Sequence, residues 1–315
     1  MKIKPILGLA LASTLIISCG KTNEKVTKDV TEVVTEVKKT ATDFDYTVEQ
    51  FADIKVLRYQ IHGFDALTLK EQKLVYYLTQ AGLAGRDMMW DQNYRHNLTI
   101  RKALENVYAN YSGDKTSDNW NNFEEYLKRV WFSNGIHHHY SNAKLTPAFD
   151  QAYLETLLVA TNTELKGDAL AVIFNDKDAK KVNLAKGVDN VAASAVNFYG
   201  EGVTNADVES FYGKMISPNK KQPLSYGLNS QLVKENGVLK ERVYKSGGLY
   251  GAAIDQIVVW LEKAQEVAEN EAQGTALGLL IKYYKTGDLQ TWDDYNVAWT
   301  KATEGDIDYI NGFVE

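Results

Sequence analysis

The chain has 315 residues, 44 % of them hydrophobic and only four of them proline, and its 41 acidic and 35 basic residues give a net charge of −6. This length and apolar content predict a globular body that can bury a core, as one large domain or two small ones. The negative balance argues against nucleic acid as a partner, because affinity for nucleic acid comes mostly from basic groups that neutralise phosphates.

The amino terminus has the features of an export signal. Lys2 and Lys4 precede an apolar run at 6–17 that is too short to span a bilayer. The run ends in Ile-Ile-Ser-Cys at 16–19, which resembles the lipobox of bacterial lipoproteins. Cys19 is the only cysteine, so lipidation would explain its position and its lack of a disulfide partner. We predict a signal peptide at 1–18 and an exported protein, lipid-anchored through Cys19 at the bacterial membrane, in the periplasm or on the cell surface. An uncleaved signal with an idle cysteine is the alternative.

A tether and a body follow the predicted signal. Residues 19–41 are rich in Lys, Thr, Glu and Val and contain no aromatic residue, which indicates a mobile tether. Valines at helical spacing leave a short helix as the alternative there. The body at 42–315 has patterns of helices with a few strands.

The first half of the body begins with a strand and then becomes helical. Alternation predicts a strand at 54–61, and a capping box of Thr68 and Glu71 begins a helix at 69–83. The other predicted elements are helices that begin at Asn97, Ser117 and Thr146–Pro147, short strands between 168 and 199, and a helix at 205–215.

The second half contains a hairpin and three helices. Asn236-Gly237 joins two alternating runs, at 225–234 and 238–244, and this dipeptide favours a tight turn because both residues tolerate positive φ. An apolar face at 254–267 predicts a long helix that Gln273-Gly274 breaks. A second helix then runs to Gly287, and a last one covers 291–302.

The loop at 131–144 is dense in aromatic, amide and imidazole side chains. Loops lie on the surface, so large side chains there normally meet a core or a ligand. We predict that Asn134, His137, His139 and Tyr140 contact a peptide, with a packed structural loop and a metal site as alternatives. Metal is the least favoured, because only His137 and His139 can share a face of an extended chain and no histidine pair has the i, i+4 spacing of a helical zinc site.

Four stretches, at 74–81, 131–144, 232–237 and 272–315, together resemble dipeptidyl peptidase III, a zinc exopeptidase, and most closely its exported bacteroidete-type members. The resemblance covers the body and implies the lower lobe of a two-lobed peptidase, with helices and a five-stranded β-barrel. The expected fold class is therefore α+β, mainly helical with a small β-barrel or sheet.

The resemblance also implies where a peptide would bind. Asp308 and Tyr309 fall where the family carries an acid and a nearby tyrosine that hold the substrate's amino terminus and backbone, with a turn residue as the alternative for Asp308. The zinc motif His-Glu-x-x-Gly-His of the family does not occur in this sequence. The resemblance thus implies a chain truncated before the zinc-binding lobe, with no catalytic residue and no zinc ligand of its own.

Two functions follow as expectations. The first is the amino-terminal portion of a metallopeptidase, a hydrolase that releases dipeptides from peptide amino termini, catalytically incomplete as given. The alternative is a non-catalytic lipoprotein that binds peptides. The DNA beyond the codon for Glu315 distinguishes them, because an open frame that encodes the zinc motif favours the first and a stop codon favours the second.

Overall fold

A computed structural model describes residues 44–165, 167–178 and 180–312, and the predicted signal peptide and the whole predicted tether, including Cys19, lie outside the described residues. The chain divides into two compact units, Met1–Gln60 and Ile61–Glu315. The described part of the first unit is an antiparallel hairpin of β1 (Thr47–Phe51) and β2 (Ile54–Leu57). The predicted strand was too long, because Leu57 pairs with the first residue of β1 and the chain beyond it has passed the end of its partner strand.

The second unit is mainly helical. Its elements in chain order are α1 (Leu69–Ala84), α2 (Arg86–Asn93), α3 (Asn97–Asn110), α4 (Asp118–Ser133), α5 (Gln151–Ala160), α6 (Ala171–Phe174), α7 (Asn205–Tyr212), β3 (Ser230–Glu235), β4 (Val238–Val243), α8 (Gly251–Glu266), α9 (Glu271–Thr286) and α10 (Leu289–Lys301), with short 3-10 turns at Phe64–Ala66 and Gly167–Ala169. No helix in the described part of the chain is both long and apolar enough to cross a bilayer.

Elements with local signals form where the sequence predicts them. The Thr68 hydroxyl accepts the Glu71 amide and the Glu71 carboxylate accepts the Thr68 amide, so the predicted capping box is confirmed. Asn236 and Gly237 both have positive φ in the turn between β3 and β4. Gly287 ends α9 in the left-handed conformation.

One predicted helix cap and one predicted helix start were wrong. Asn97 is the first residue of α3 and not its cap, because its side chain is used elsewhere: Nδ2 donates to the Asn134 carbonyl at 3.3 Å and Oδ1 accepts the Ile136 amide at 3.1 Å. The helix expected from Thr146–Pro147 begins at Gln151, because the Asp150 carboxylate caps it by accepting the Tyr153 amide at 2.8 Å.

Two predictions of secondary structure were also wrong. The described residues between 168 and 199 contain α6 and a loop but no named strand. The loop makes isolated backbone contacts in place of a ladder, as when the Val196 amide donates to the Lys181 carbonyl at 3.0 Å and the Asn197 amide donates to the Gln92 carbonyl at 2.9 Å. Gln273-Gly274 does not break a helix. Asn270 accepts the Gln273 amide at 2.9 Å and so begins α9 before that pair.

The small sheets do not close. Among the described residues, β1 pairs only with β2 and β3 only with β4 as named strands, and Tyr199 adds an isolated parallel bridge to Leu232. The chain is therefore mainly helical with small antiparallel sheets, and the five-stranded barrel implied by the resemblance is absent from the described part. The predicted α+β class is confirmed as a mainly helical fold with small sheets.

Two hydrophobic clusters form the core of the second unit. The first cluster includes side chains from the five helices α2 through α6 and is centred on Trp120, Phe123 and Leu127, each at most 2 % exposed. The second joins α1, α8, α9 and α10 around side chains such as Ile254 and Leu277, both fully buried. The apolar stripes of these helices face the two clusters, which is the arrangement that amphipathic periodicity predicts.

Candidate functional site

The segment that precedes Asp308 is held by the start of α9. The Glu269 carboxylate accepts the backbone amide of Asp306 at 2.7 Å and that of Ile307 at 2.9 Å. Gln273, which is 6 % exposed, donates Nε2 to the Ile307 carbonyl at 2.8 Å and to Glu269 at 3.2 Å. Hydrogen bonds to a charged acceptor are about twice as strong as neutral ones, so this carboxylate fixes the backbone immediately before Asp308.

Gly305 permits this close approach. Its φ is +121°, and a Cβ built on it would lie 2.6 Å from Oε2 of Glu269. One residue earlier, the Glu304 carbonyl accepts a hydrogen bond from Asn270 Nδ2 at 2.7 Å. The glycine therefore lets the segment lie directly against the carboxylate that holds it.

Asp308 itself is exposed and partly engaged. Its Oδ1 accepts the Trp299 indole N–H at 3.1 Å and the Tyr309 amide at 2.7 Å. Both bonds end on Oδ1, and Oδ2 has no hydrogen-bond partner among the described residues. The side chain is thus oriented by α10 while one oxygen remains available to a ligand.

The residues after Asp308 line a small cavity. A space of about 180 Å³ lies between α1, α2, α8, α9 and 309–312. Burial, and then the neighbouring Tyr295 and the Asp308 carboxylate, raise the pKa of Tyr309, so this phenol stays a neutral hydrogen-bond donor. Asn311 accepts the Tyr284 hydroxyl at 3.0 Å, and its own Nδ2 is buried without a partner in the described structure.

An acidic groove of about 1140 Å³ runs along the start of α9 and one face of α10. Its walls include Glu271, Asp293, Asp294 and Glu304 with a single base, Lys301, among the lining residues. Burial raises the pKa of Asp293, and the like charge of Asp294 raises it further. The groove therefore favours a cationic group, which would relieve this repulsion.

The first imidazole of the 131–144 loop is buried. His137 is 4 % exposed, pairs through its backbone with Lys144, and packs edge-on against the Tyr94 ring with centroids 4.8 Å apart. Its Nδ1 has no hydrogen-bond partner among the described residues. Burial, followed by the positive charge of Lys144, lowers the pKa of His137 to about 4, so the ring is neutral near pH 7.

An ionic contact closes the space beside this ring. The Tyr94 hydroxyl donates to Asp178 at 2.7 Å, and Lys144 forms an ion pair with the same carboxylate and donates to the Asn175 carbonyl at 2.6 Å. The loop that carries His137 is thereby tied to the 175–178 segment. His137 is thus part of a packed loop, enclosed by other side chains of the protein.

The other predicted loop residues lie nearer the surface. Asn134 ends α4 in the left-handed conformation, and its carbonyl accepts Asn97 as described above. His139 is half-buried and packs edge-on against Tyr140, whose side chain is 88 % exposed.

The predicted peptide-contacting residues occupy two different core clusters. His137 packs on Tyr94 of the first cluster, whereas Tyr309 and the Trp299 partner of Asp308 pack on the second. The geometry built around Asp308 therefore stands by itself as the candidate peptide site, and the contact of the histidine loop with a peptide stays a prediction.

Zinc does not fit the metal-like group that the described residues offer. Glu71, Glu269 and Asp306 place carboxylate oxygens within 4.8 Å of one another. All three are hard oxygen ligands without the imidazole that peptidase zinc sites use, and Glu269 already holds two backbone amides. We therefore derive no catalytic step through zinc from these residues.

Part of this chain is similar in sequence to a peptidase family. Residues 202–315, from α7 to the end of the sequence, match the model described as Peptidase family M49. The match confirms the predicted resemblance to dipeptidyl peptidase III over the range that contains the hairpin, the acidic groove and Asp308. A search of curated protein sequences gives no match.

Solved structures show a distant similarity. Dipeptidyl peptidase III from Caldithrix abyssi aligns over 78 % of this chain with 16 % identity and a TM-score of 0.48. The enzyme from Corallococcus sp. strain EGB aligns over 78 % with 16 % identity and a TM-score of 0.49. In both comparisons this chain spans 35 % of the other protein's length.

Residues that position Asp308 were not found from the sequence. Glu269 and Gln273 hold a segment 37 and 34 residues away, and Trp299 contacts Asp308 across nine residues. The one local signal is Asn270, whose type and position before an apolar stripe indicate a helix cap. A cap places the start of α9 but does not reveal which segment its neighbour Glu269 binds.

Proposed function

We propose that this chain, a member of the dipeptidyl peptidase III family through residues 202–315, supplies a peptide-binding part of such a peptidase and holds the amino terminus of a peptide at Asp308. The observation that carries the proposal is the exposed Asp308 carboxylate, with Oδ1 fixed by Trp299 and its backbone fixed through Glu269. A carboxylate that faces an α-ammonium is the charge-assisted contact with which an exopeptidase recognises a free amino terminus.

The surroundings of Asp308 support a cationic ligand. Glu304, which lines the acidic groove, lies four residues before Asp308 in the chain. The carboxylates that line the groove outnumber its one lysine. Two hydrogen-bond donors, the neutral phenol of Tyr309 and the Nδ2 of Asn311, lie buried in the small cavity next to the same segment. The proposal assigns binding, and not bond cleavage, to the described residues.

Acetylation of a peptide's amino terminus is expected to weaken its binding to the wild-type chain about tenfold. Acetylation removes the ammonium charge, and a hydrogen bond that involves a charged group contributes about 1.5–3 kcal/mol, with the low end expected for an exposed carboxylate. Calorimetric titration of a free and an acetylated peptide of the same sequence measures the difference.

Two variants separate Asp308 from the general acidity of the surface. Asp308→Asn should bind both peptides equally, while Asp294→Asn, which removes a groove carboxylate, should keep most of the preference. Equal affinities in the wild type, or a preference that survives Asp308→Asn, would remove Asp308 from the site.

We also propose that the protein is anchored to the bacterial membrane by a lipid on Cys19. The basic residues, apolar run and Ser18-Cys19 sequence support this proposal. Cys19→Ala is expected to abolish lipidation and to release the protein from the membrane fraction. Metabolic labelling with a fatty acid analogue measures lipidation, with Ser18→Ala as the control that keeps the thiol, and a labelled Cys19→Ala protein would contradict the proposal.

A further inference from the structure

Two neighbouring surface loops expose large apolar side chains. Tyr140 is 88 % exposed in the loop at 138–143, and Leu184 is 82 % exposed in the loop at 180–188, which also exposes Val188. We call these two segments the loop pair. Isolated exposed apolar residues are common, but here two of them project from adjacent loops.

Asn142 holds the loop pair together. Its Nδ2 donates to the Val182 carbonyl at 2.8 Å, and its Oδ1 accepts the Val182 amide at 3.0 Å. Tyr140 and Leu184 each lie two residues from this double contact, so the backbone of each is within roughly 7 Å of it. The two side chains therefore belong to one surface region.

The loop pair is cationic on an acidic protein. Residues 180–188 contain Lys180, Lys181 and Lys186, and neither loop contains an Asp or Glu, although the chain has a net charge of −6. Lys180 and Lys186 are exposed. The nearest acid before the second loop, Asp178, forms an ion pair with Lys144, which commits its charge to that contact.

We propose that the loop pair docks on an anionic lipid surface, with Tyr140 and Leu184 entering the headgroup region and the exposed Lys180 and Lys186 contacting lipid phosphates. Tyrosine favours the interface between water and lipid because its ring is apolar and its hydroxyl is polar. Basic residues beside an apolar contact are the combination that binds anionic membranes.

The single cysteine of the chain makes a local test possible. In the Cys19→Ala background, Leu184→Cys is the only thiol and can carry an environment-sensitive nitrobenzoxadiazole dye. We expect its emission to rise and shift to shorter wavelength with vesicles that contain phosphatidylglycerol, and not with pure phosphatidylcholine vesicles. The dye reports its own surroundings, so binding through the amino-terminal apolar run does not imitate this result.

Matched variants test both parts of the proposal. Val159→Cys carries the dye at a residue that is also 82 % exposed, on α5, and should show no change. Lys180→Gln combined with Lys186→Gln should lower the affinity for the anionic vesicles roughly thirtyfold, because each lysine near an anionic surface contributes about a fivefold gain in affinity. Lys70→Gln with Lys282→Gln, which neutralises two exposed lysines elsewhere, should leave the response unchanged.

Several outcomes would overturn the proposal. These are an unchanged emission from Leu184→Cys with anionic vesicles, an equal change from Val159→Cys, and a response that survives the loss of Lys180 and Lys186. Inorganic phosphate alone, if it produced the same change, would assign the loop pair to free anions and not to a lipid surface.

Discussion

Lowering the pH from neutral to near 4 is expected to decrease the free energy of unfolding of the wild-type chain by roughly 3 kcal/mol more than that of His137→Gln. The figure follows from about 1.4 kcal/mol for each unit of pKa shift. Burial lowers the pKa of His137 from its ordinary value of 6.5 to about 4. Below pH 6.5 the unfolded chain therefore binds a proton at this residue that the folded chain does not. The stability from neutral His137 is complete above 6.5 and is lost as the pH falls towards 4.

The charges around His137 support the same direction. Lys144 opposes a positive imidazole, the Asp178 carboxylate favours it, and Lys181 opposes it. Because Asp178 is already paired with Lys144 and accepts the Tyr94 hydroxyl, its negative charge is largely committed. Protonated His137 would thus be a buried cation without an acceptor of its own.

Urea denaturation at the two pH values, followed by tryptophan fluorescence, measures this difference. His138→Gln is the matched control, since His138 is the exposed neighbour in the same loop and should keep the wild-type dependence. The comparison uses the change with pH in each protein, so a general loss of stability in His137→Gln does not obscure it. An equal change with pH in wild type and His137→Gln would show that another group dominates.

Gly305→Ala is expected to lower the free energy of local opening of the segment before Asp308 by about 2 kcal/mol. This corresponds to roughly thirtyfold faster hydrogen exchange of the Asp306 and Ile307 amides. The new Cβ would lie 2.6 Å from Oε2 of Glu269, at a backbone φ of +121° that disfavours a side chain. Glu269 must then move and release the two amides that it holds. Exchange measured by mass spectrometry or NMR on these amides gives the result.

A double-mutant cycle isolates the collision from the backbone strain. Glu269→Ala should speed the same exchange, and adding Gly305→Ala to it should have little further effect, because the atom that the Cβ meets is gone. Gly237→Ala serves as the strain control, with φ of +79° and no atom within 4 Å of the new Cβ. Fully additive effects in the cycle would contradict direct contact between the Gly305 position and Glu269.

The same cycle connects the fold to the proposed function. If Asp308 binds an α-ammonium, releasing its backbone should reduce the preference for a free amino terminus without removing its carboxylate. Glu269 and Gly305 are then positioning residues that act through the 304–308 segment. Loss of hydrogen-exchange protection with an unchanged preference would separate the local structure from the binding proposal.

Features whose physics is local were visible in the amino-acid sequence alone. The capping box at Thr68 and Glu71 is visible because both bonds join residues three apart, and the β3–β4 turn is visible because Asn236 and Gly237 tolerate positive φ. Apolar periodicity likewise found α4, α8 and α10 within a few residues of their bounds. The family resemblance, confirmed over 202–315, added the similarity to a peptidase family, which apolar periodicity cannot reveal.

Roles that depend on distant partners emerged only from the packing of the folded chain. Asn97 could have capped its own helix, but its amide binds the backbone at 134 and 136, and the burial of His137 depends on Tyr94 and Lys144. Asp308 is positioned from α9 and α10 through contacts up to 37 residues away. Side-chain polar groups satisfy whichever partner the packed chain brings near, so residue type and spacing give the chemistry available while the packing of the helices chooses its use.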